Sequence, residues 1–352
     1  MTDHLRPLPF CRGCNSKELL DELCKQLLKR SREFKPAALA NIANAAATAG
    51  RCPLEVFETL ELEVLKRGKR FEPKALATLC KAFAEGRAYH PSALDVLGRG
   101  IAKQVEKLVP FHAVCTVAWS FASLRHDSPG LFEGIWQATA IQATKKTARP
   151  SDLAAVLYAL GVAGKLDHAK MEQIKPKIEE IGRQAGLFSV ADLCSLFQVE
   201  LLLNPENRQD LHSLPPVTLK KATRAWRKVS IAGSTASEEQ VTICKLLRAM
   251  GLPVSLEHET EDGLFVVDIA LHGENNFGKR VAFEVNGMQH YTRTRPHREL
   301  GAVVLRKKLL EDRGWVVIDL PLHAWAAVKD DRAQARKWLE SKLSMAGIKP
   351  KR

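Results

Sequence analysis

No stretch of this 352-residue chain approaches the roughly 20 consecutive apolar residues that span a bilayer, so no membrane helix is expected. The opening residues Met1-Thr2-Asp3-His4-Leu5-Arg6 lack the apolar core of a secretory signal. Asp3, Glu18, Asp21 and Glu22 also depart from an Arg- and Ser-rich transit peptide. Targeting is therefore either absent or encoded upstream of residue 1. Zinc-type pairing is missing too: Cys11-x-x-Cys14 is the one close cysteine pair, and no second Cys or His pair stands at zinc spacing. Cys24, Cys52, Cys80, Cys115, Cys194 and Cys244 lie scattered in or beside apolar helical patterns. They read as reduced thiols packed as small hydrophobes, which predicts an intracellular protein. Strand signal is almost missing from the first two-thirds.

What is present is ordinary for a soluble protein, with 45% hydrophobic and 26% charged residues and room for two or three domains. Positive charge is in excess, at +13, and it is uneven. Residues 215–352 hold 24 Lys and Arg against 16 Asp and Glu, whereas the longer remainder holds 29 against 24. A basic surface suits nucleic acid, because neutralised phosphates release counterions.

Residues 16–203 carry a degenerate repeat. Leu39-Ala-Asn-Ile42-Ala-Asn-Ala-Ala46-Ala47 aligns with Leu76-Ala-Thr-Leu79-Cys-Lys-Ala-Phe83-Ala84 and with Val114-Cys-Thr-Val117-Ala-Trp-Ser-Phe121-Ala122. Leu153-Ala-Ala-Val156 and Leu193-Cys-Ser-Leu196 continue it, so the leading positions lie 37, 38, 39 and 40 residues apart. Apolar residues at i, i+3 and i+7 mark one helix face. Pro36, Pro73 and Pro150 sit where a first helical turn needs no N–H. A second amphipathic helix follows in each unit, as in Leu54–Leu65, Ser92–Leu108 and His168–Ile181. Two helices per ~38 residues predict an α-solenoid of about five pairs, whose extended surface would take RNA or a protein partner.

The polar, Pro-rich stretch 204–216 ends the array, and 217–228 is a basic helix or linker. From Ser237 the texture changes to an α/β pattern. Ser237-Glu238-Glu239-Gln240 opens a helix with a capping box. Strands are predicted over 254–258, 265–271, 280–285 and 315–320, with helices over 302–313 and 331–345. The expected segments are a tail (1–15), the helical array (16–203), a linker with a basic helix (204–236), the α/β domain (237–345) and a basic tail (346–352).

The order α-β-β-β-α-β-α, together with Asp268-Ile269, Glu284-Val285-Asn286-Gly287-x-x-His290-Tyr291, Leu305-Arg306-x-Lys308-x-Leu310, Gly314-Trp315-Val316-Val317 and Leu320-Pro321-x-x-x-Trp325, resembles the RAP domain. This is a restriction-endonuclease-like module, and the resemblance covers about 238–325. The upstream array resembles in architecture the octotricopeptide or heptatricopeptide repeats that accompany it. The fold class is then multidomain α plus α/β. The resemblance implies an RNA-binding protein of mitochondrial or plastid RNA metabolism, acting in processing, stability or ribosomal-RNA maturation.

Nuclease chemistry in this fold needs two strand carboxylates that hold Mg²⁺ and an E-x-K lysine. Asp268 and Glu284 are the corresponding acids, with Glu238 or Glu239 as a third. Asn286 stands at the lysine position, and Lys279 or His290 would have to replace it. Two readings follow: a binding-only domain, and a metal-dependent endoribonuclease with Asp268, Glu284 and Glu238 as catalytic residues. RNA contact is expected from His290, Tyr291, Arg293, Arg295 and Arg298, beside His297, and from Arg306, Lys307 and Lys308 on the next helix. Guanidinium forks suit phosphates, and ring faces suit unstacked bases. Trp315 and Trp325 read as core residues.

Overall fold

The computed structural model describes residues 16–145, 148–184, 186–205, 212–231, 235–272 and 280–348. The Cys11/Cys14 pair, the tail 1–15, Lys279 and most of the turn before it, and 349–352 lie outside the described residues. The chain divides within one helix into two compact units, one ending at Ile135 and one beginning at Trp136.

The first unit is built from helices α1 (Ser16–Arg30), α2 (Pro36–Thr48), α3 (Leu54–Arg67), α4 (Pro73–Glu85), α5 (Pro91–Ala102) and α6 (His112–Leu124), and takes in the start of α7 (Leu131–Ala143). The first helix of each pair packs on the first helix of the next, α2 on α4 and α4 on α6, while α3 packs on α5. Leu39, Leu76, Leu79, Phe83, Val117 and Phe121 are buried along this seam. The helix expected over Ser92–Leu108 stops at Ala102 and tightens into a 3-10 turn at Val105–Lys107.

The same device ends the leading helices. Arg51 N–H donates to Ala46, Ala88 to Phe83 and His126 to Phe121, each closing a Schellman motif at 2.8–3.0 Å. The residue before each donor, Gly50, Arg87 or Arg125, takes the left-handed conformation this turn requires. In the second unit Lys165 N–H closes on Leu160 behind Gly164, so these positions recur at 37, 38 and 39 residues. The repeat seen in the apolar residues is thus a repeat of helix endings too.

A polar joint also recurs within the first unit. Arg51 Nε donates to Asp21 on α1 at 2.9 Å. His90 Nδ1 meets Glu61 on α3 at 2.9 Å, and His126 Nε2 meets Asp95 on α5 at 3.0 Å. Each acid lies on an odd-numbered helix and each partner just before the next odd-numbered helix.

The second unit starts in α7 and holds α8 (Pro150–Val162), α9 (His168–Arg183), α10 (Val190–Leu203), α11 (Pro216–Ile231) and α12 (Glu238–Ala249). Then come β1 (Val254–Glu259), β2 (Val266–Leu271), β3 (Arg280–Asn286), α13 (Gly301–Glu311), β4 (Trp315–Pro321), α14 (Leu322–Trp325) and α15 (Arg332–Met345). Here α8 packs on α10, and α9 and α10 on α11. The sheet order is β1-β2-β3-β4, with β1–β2 and β2–β3 antiparallel and β3–β4 parallel. The parallel pair needs a crossover, and α13 supplies it.

One face of the sheet is the core. Ile269, Leu271, Val281, Phe283, Ile318 and Leu320 pack there against α12 and α15 through Ile243, Leu247, Leu339 and Leu343. Trp325 joins this core from α14, and Trp315 is buried as well. Residues one step out of phase, including Asp268, Glu284 and Asp319, belong to the other face.

One close approach in the first unit is at Gly98 on α5. A Cβ there would lie 2.3 Å from Ser128 Oγ and 3.1 Å from the Phe121 ring. Gly98→Ala is expected to lower unfolding free energy by about 1–3 kcal/mol, measured by denaturant titration, because overpacking must displace a buried neighbour.

Candidate functional site

The polar face of the sheet carries one acid per strand at a single level. Glu284 stands opposite Asp319 in the parallel pair β3–β4. The antiparallel register that pairs Ile269 with Phe283 continues to Asp268 and Glu284. Leu256–Ile269 and His258–Val267 bracket Glu257 against Asp268. Four carboxylates in a row would repel one another without a cation.

That cation is Arg306 of α13. Its Nε donates to Glu284 Oε2 at 2.8 Å, and its Nη2 donates to Glu284 Oε1 at 3.1 Å. The same Nη2 donates to the Val266 carbonyl at 2.7 Å, and the guanidinium lies over the Phe265 ring. Burial works against the charged form of Arg306, but Glu284, Asp268 and Glu257 outweigh it and raise its pKa. Glu284 itself is buried at 7% exposure.

Asp268 Oδ2 accepts from Val285 N–H at 2.7 Å. Its other aid comes from Gln240, whose side chain hydrogen-bonds the carboxylate. Gln240 Oε1 also accepts from Ser237 N–H at 2.5 Å, so one residue caps α12 and anchors an acid of β2. Burial, and then the Glu284 charge, push Asp268 up to about 6. Glu238, expected as a third acid, is exposed on the first turn of α12, and its carbonyl accepts from Thr242 Oγ1 at 2.8 Å.

These residues do not fit Mg²⁺. Both oxygens of Glu284 are taken by Arg306, and Asp268 is held by the Val285 N–H and the Gln240 side chain. Among the described residues no group of three or more His, Cys, Asp or Glu side chains is placed to hold a metal ion. Asn286, at the lysine position, donates from Nδ2 to Asp319 Oδ1 at 2.7 Å.

Asp319 is the acid that sequence reasoning missed. Tyr291 Oη reaches its two oxygens at 2.8 and 2.7 Å. Tyr291 is buried, at 3% exposure, and its ring meets His323 edge-on. Burial and the Asp319 hydrogen bond raise the Tyr291 pKa. Tyr291 therefore pins the following loop to the sheet instead of offering a face to a base. The signal for Asp319 was its place as the sole acid in Trp315-Val-Val-Ile-Asp-Leu320, but only the strand pairing brings it beside Glu284 and Asn286.

Tyr291 bridges Glu299, Thr292 N–H donates to the Arg298 carbonyl at 2.8 Å, and Arg298 N–H returns to Thr292 Oγ1 at 2.9 Å. His297 Nδ1 lies 2.8 Å from the Thr292 carbonyl, and its ring packs on His323. This closed loop carries Arg293 and Arg298, both half-buried, and Arg295, which is exposed. His290, at the loop's start, is half-buried, and burial lowers its pKa. The second expected cluster comes apart in the structure. Arg306 turns into the sheet, while Lys307 and Lys308 pair along α13 with Glu311 and Asp312 at 4.0 and 2.9 Å.

Residues 283–341 match the RAP domain. The matched stretch runs from Phe283 on β3 through the arginine loop, α13 and β4 into α15, so it contains Glu284, Tyr291, Arg306 and Asp319. The RAP domain is associated with RNA binding. Upstream of it lie the helical pairs, and among the described residues no helix is long and apolar enough to cross a membrane.

Two variants separate the roles of the carboxylates. Glu284→Gln leaves Arg306 without its bidentate partner and is expected to cost about 1–3 kcal/mol in denaturant unfolding, less than a fully buried pair because Arg306 keeps some solvent. Asp268 has a raised pKa, so the native state holds its proton longer than the unfolded chain. Its contribution is then present at low pH and is lost as pH rises from about 4 to 6. Asp268→Asn is expected to gain about 1–3 kcal/mol at pH 7 and to flatten that segment of the stability–pH curve.

Proposed function

We propose that this chain binds single-stranded RNA and acts in mitochondrial or plastid RNA metabolism, in processing, stability or ribosomal-RNA maturation. One observation carries the reading: the RAP domain holds a loop whose backbone is closed on itself and anchored through Tyr291 and Asp319, with Arg295 exposed on it. A fixed loop loses little conformational freedom on binding, and a guanidinium fork matches phosphate oxygens. The net charge of +13 supports the same class of partner. The helical pairs add surface for more of the strand or for a protein partner.

The reading predicts salt-sensitive affinity for RNA, with log Kd linear in log salt. Arg295→Ala is expected to weaken binding about 3- to 10-fold and to lower the salt slope by about 0.7, the value for one phosphate contact on a single strand. Filter binding from low to physiological salt measures both. Negligible, salt-independent binding by the native chain would refute the proposal.

A further inference from the structure

Within the second unit, α10, α11 and the turn between β1 and β2 line an open cavity of about 330 Å³. Pockets that hold small organic ligands begin near ~300 Å³. Phe197 and Leu201 line it from α10, and Leu264 closes it from the turn. Leu219, Thr223 and Arg227 stand one turn apart on the facing side of α11. Trp226 braces this wall: its Nε1 donates to the Leu264 carbonyl at 2.6 Å, and its ring contacts both Phe197 and Phe265.

Most polar groups at the cavity are already satisfied by one another. Buried Glu200 accepts from His212 Nδ1 and from Leu214 N–H, both at 2.8 Å. Arg313, whose side chain is 9% exposed, pairs with Asp262 at 3.3 Å and donates to the Leu309 carbonyl at 2.8 Å. What remains unbalanced is α11. It carries Lys220, Lys221, Arg224, Arg227 and Lys228 and no acid. Lys221 is engaged by the Gly182 carbonyl at 2.6 Å, but Lys220, Arg224, Arg227 and Lys228 are exposed. Among the described residues Arg227 has no carboxylate partner.

A slot with an aromatic and leucine wall, an arginine on its rim and a cationic helix beside it has the chemistry of a nucleotide site. A base suits Phe197 and the leucines, and a phosphate suits Arg227. We propose that this cavity takes one unstacked nucleotide of a single-stranded RNA, an inference that rests on the RNA-binding reading above. It is separate from the arginine loop, since the two share no residue.

The test uses the full chain and two fluorescent oligomers of equal length, one a single-stranded RNA and one its abasic ribose-phosphate counterpart, read by anisotropy. The native chain should prefer the RNA by about fivefold or more, the scale of a single stacked base. Thr223→Phe fills the slot and should cut that preference at least about threefold while leaving abasic binding unchanged. Arg227→Ala, at an exposed position, should weaken both oligomers and leave the melting temperature unchanged. A 4-thiouridine strand should crosslink to Phe197 or Leu201. If Thr223→Phe melts normally yet keeps the full base preference, or if the crosslinks fall elsewhere, the pocket proposal fails while RNA binding stands. If the native chain binds neither oligomer, the RNA reading fails and takes this proposal with it. If Thr223→Phe does not fold, the crosslink position and Arg227→Ala decide.

Discussion

The second unit depends on one half-buried guanidinium. A sheet with an acid at the same level of each strand cannot close over that face unless a positive charge enters it. Arg306 enters from α13, grips Glu284 with two hydrogen bonds and takes the Val266 carbonyl as well. It thereby joins β2, β3 and the crossover helix. The loop of residues 291–299 is the segment leading into that helix, so its exit point is set by the same contact. Its entry point is set by Tyr291 on Asp319, the acid next to Glu284 in the row. The carboxylates thus act as fasteners for a basic loop, and the place where metal-dependent hydrolysis would need a divalent ion holds an organic cation instead.

The parts of this architecture that depend on local spacing were legible in the sequence. The array was visible because each hairpin repeats its own apolar face, and the cap of α12 was visible because Ser237 and Gln240 stand three apart. The roles of Arg306, Asp319 and Tyr291 were not legible. Arg306 sits beside Lys307 and Lys308 and reads as part of a basic patch. Only the crossover of α13 onto the sheet turns its side chain toward Glu284. Tyr291 follows a histidine and precedes arginines, which suggests a stacking ring, but the parallel pairing of β3 with β4 supplies Asp319 and makes it a buried strut. Long-range register, which no local pattern encodes, decided each case.

Basic residues in the second unit therefore fall into two kinds. Some are spent internally, as Arg306, Arg313 and Lys221 are, each on a carboxylate or on backbone carbonyls. Others, such as Arg295 and Arg227, stand exposed on elements braced from beneath. Formal charge counts the two kinds equally. Only the second kind offers a polyanion fresh contacts, so the usable charge of the second unit is smaller and better placed than its composition implies.

The polar joints of the first unit carry a different consequence. Asp21 to Arg51, Glu61 to His90 and Asp95 to His126 each span about one hairpin and connect only neighbours. The Schellman endings are equally local. If one hairpin were cut out between equivalent positions, the flanking ends would still meet as an acid and its donor, with a left-handed turn in place. The array is in this sense modular at its seams: its length can change by whole hairpins, over evolution or by engineering, without redesigning a single junction.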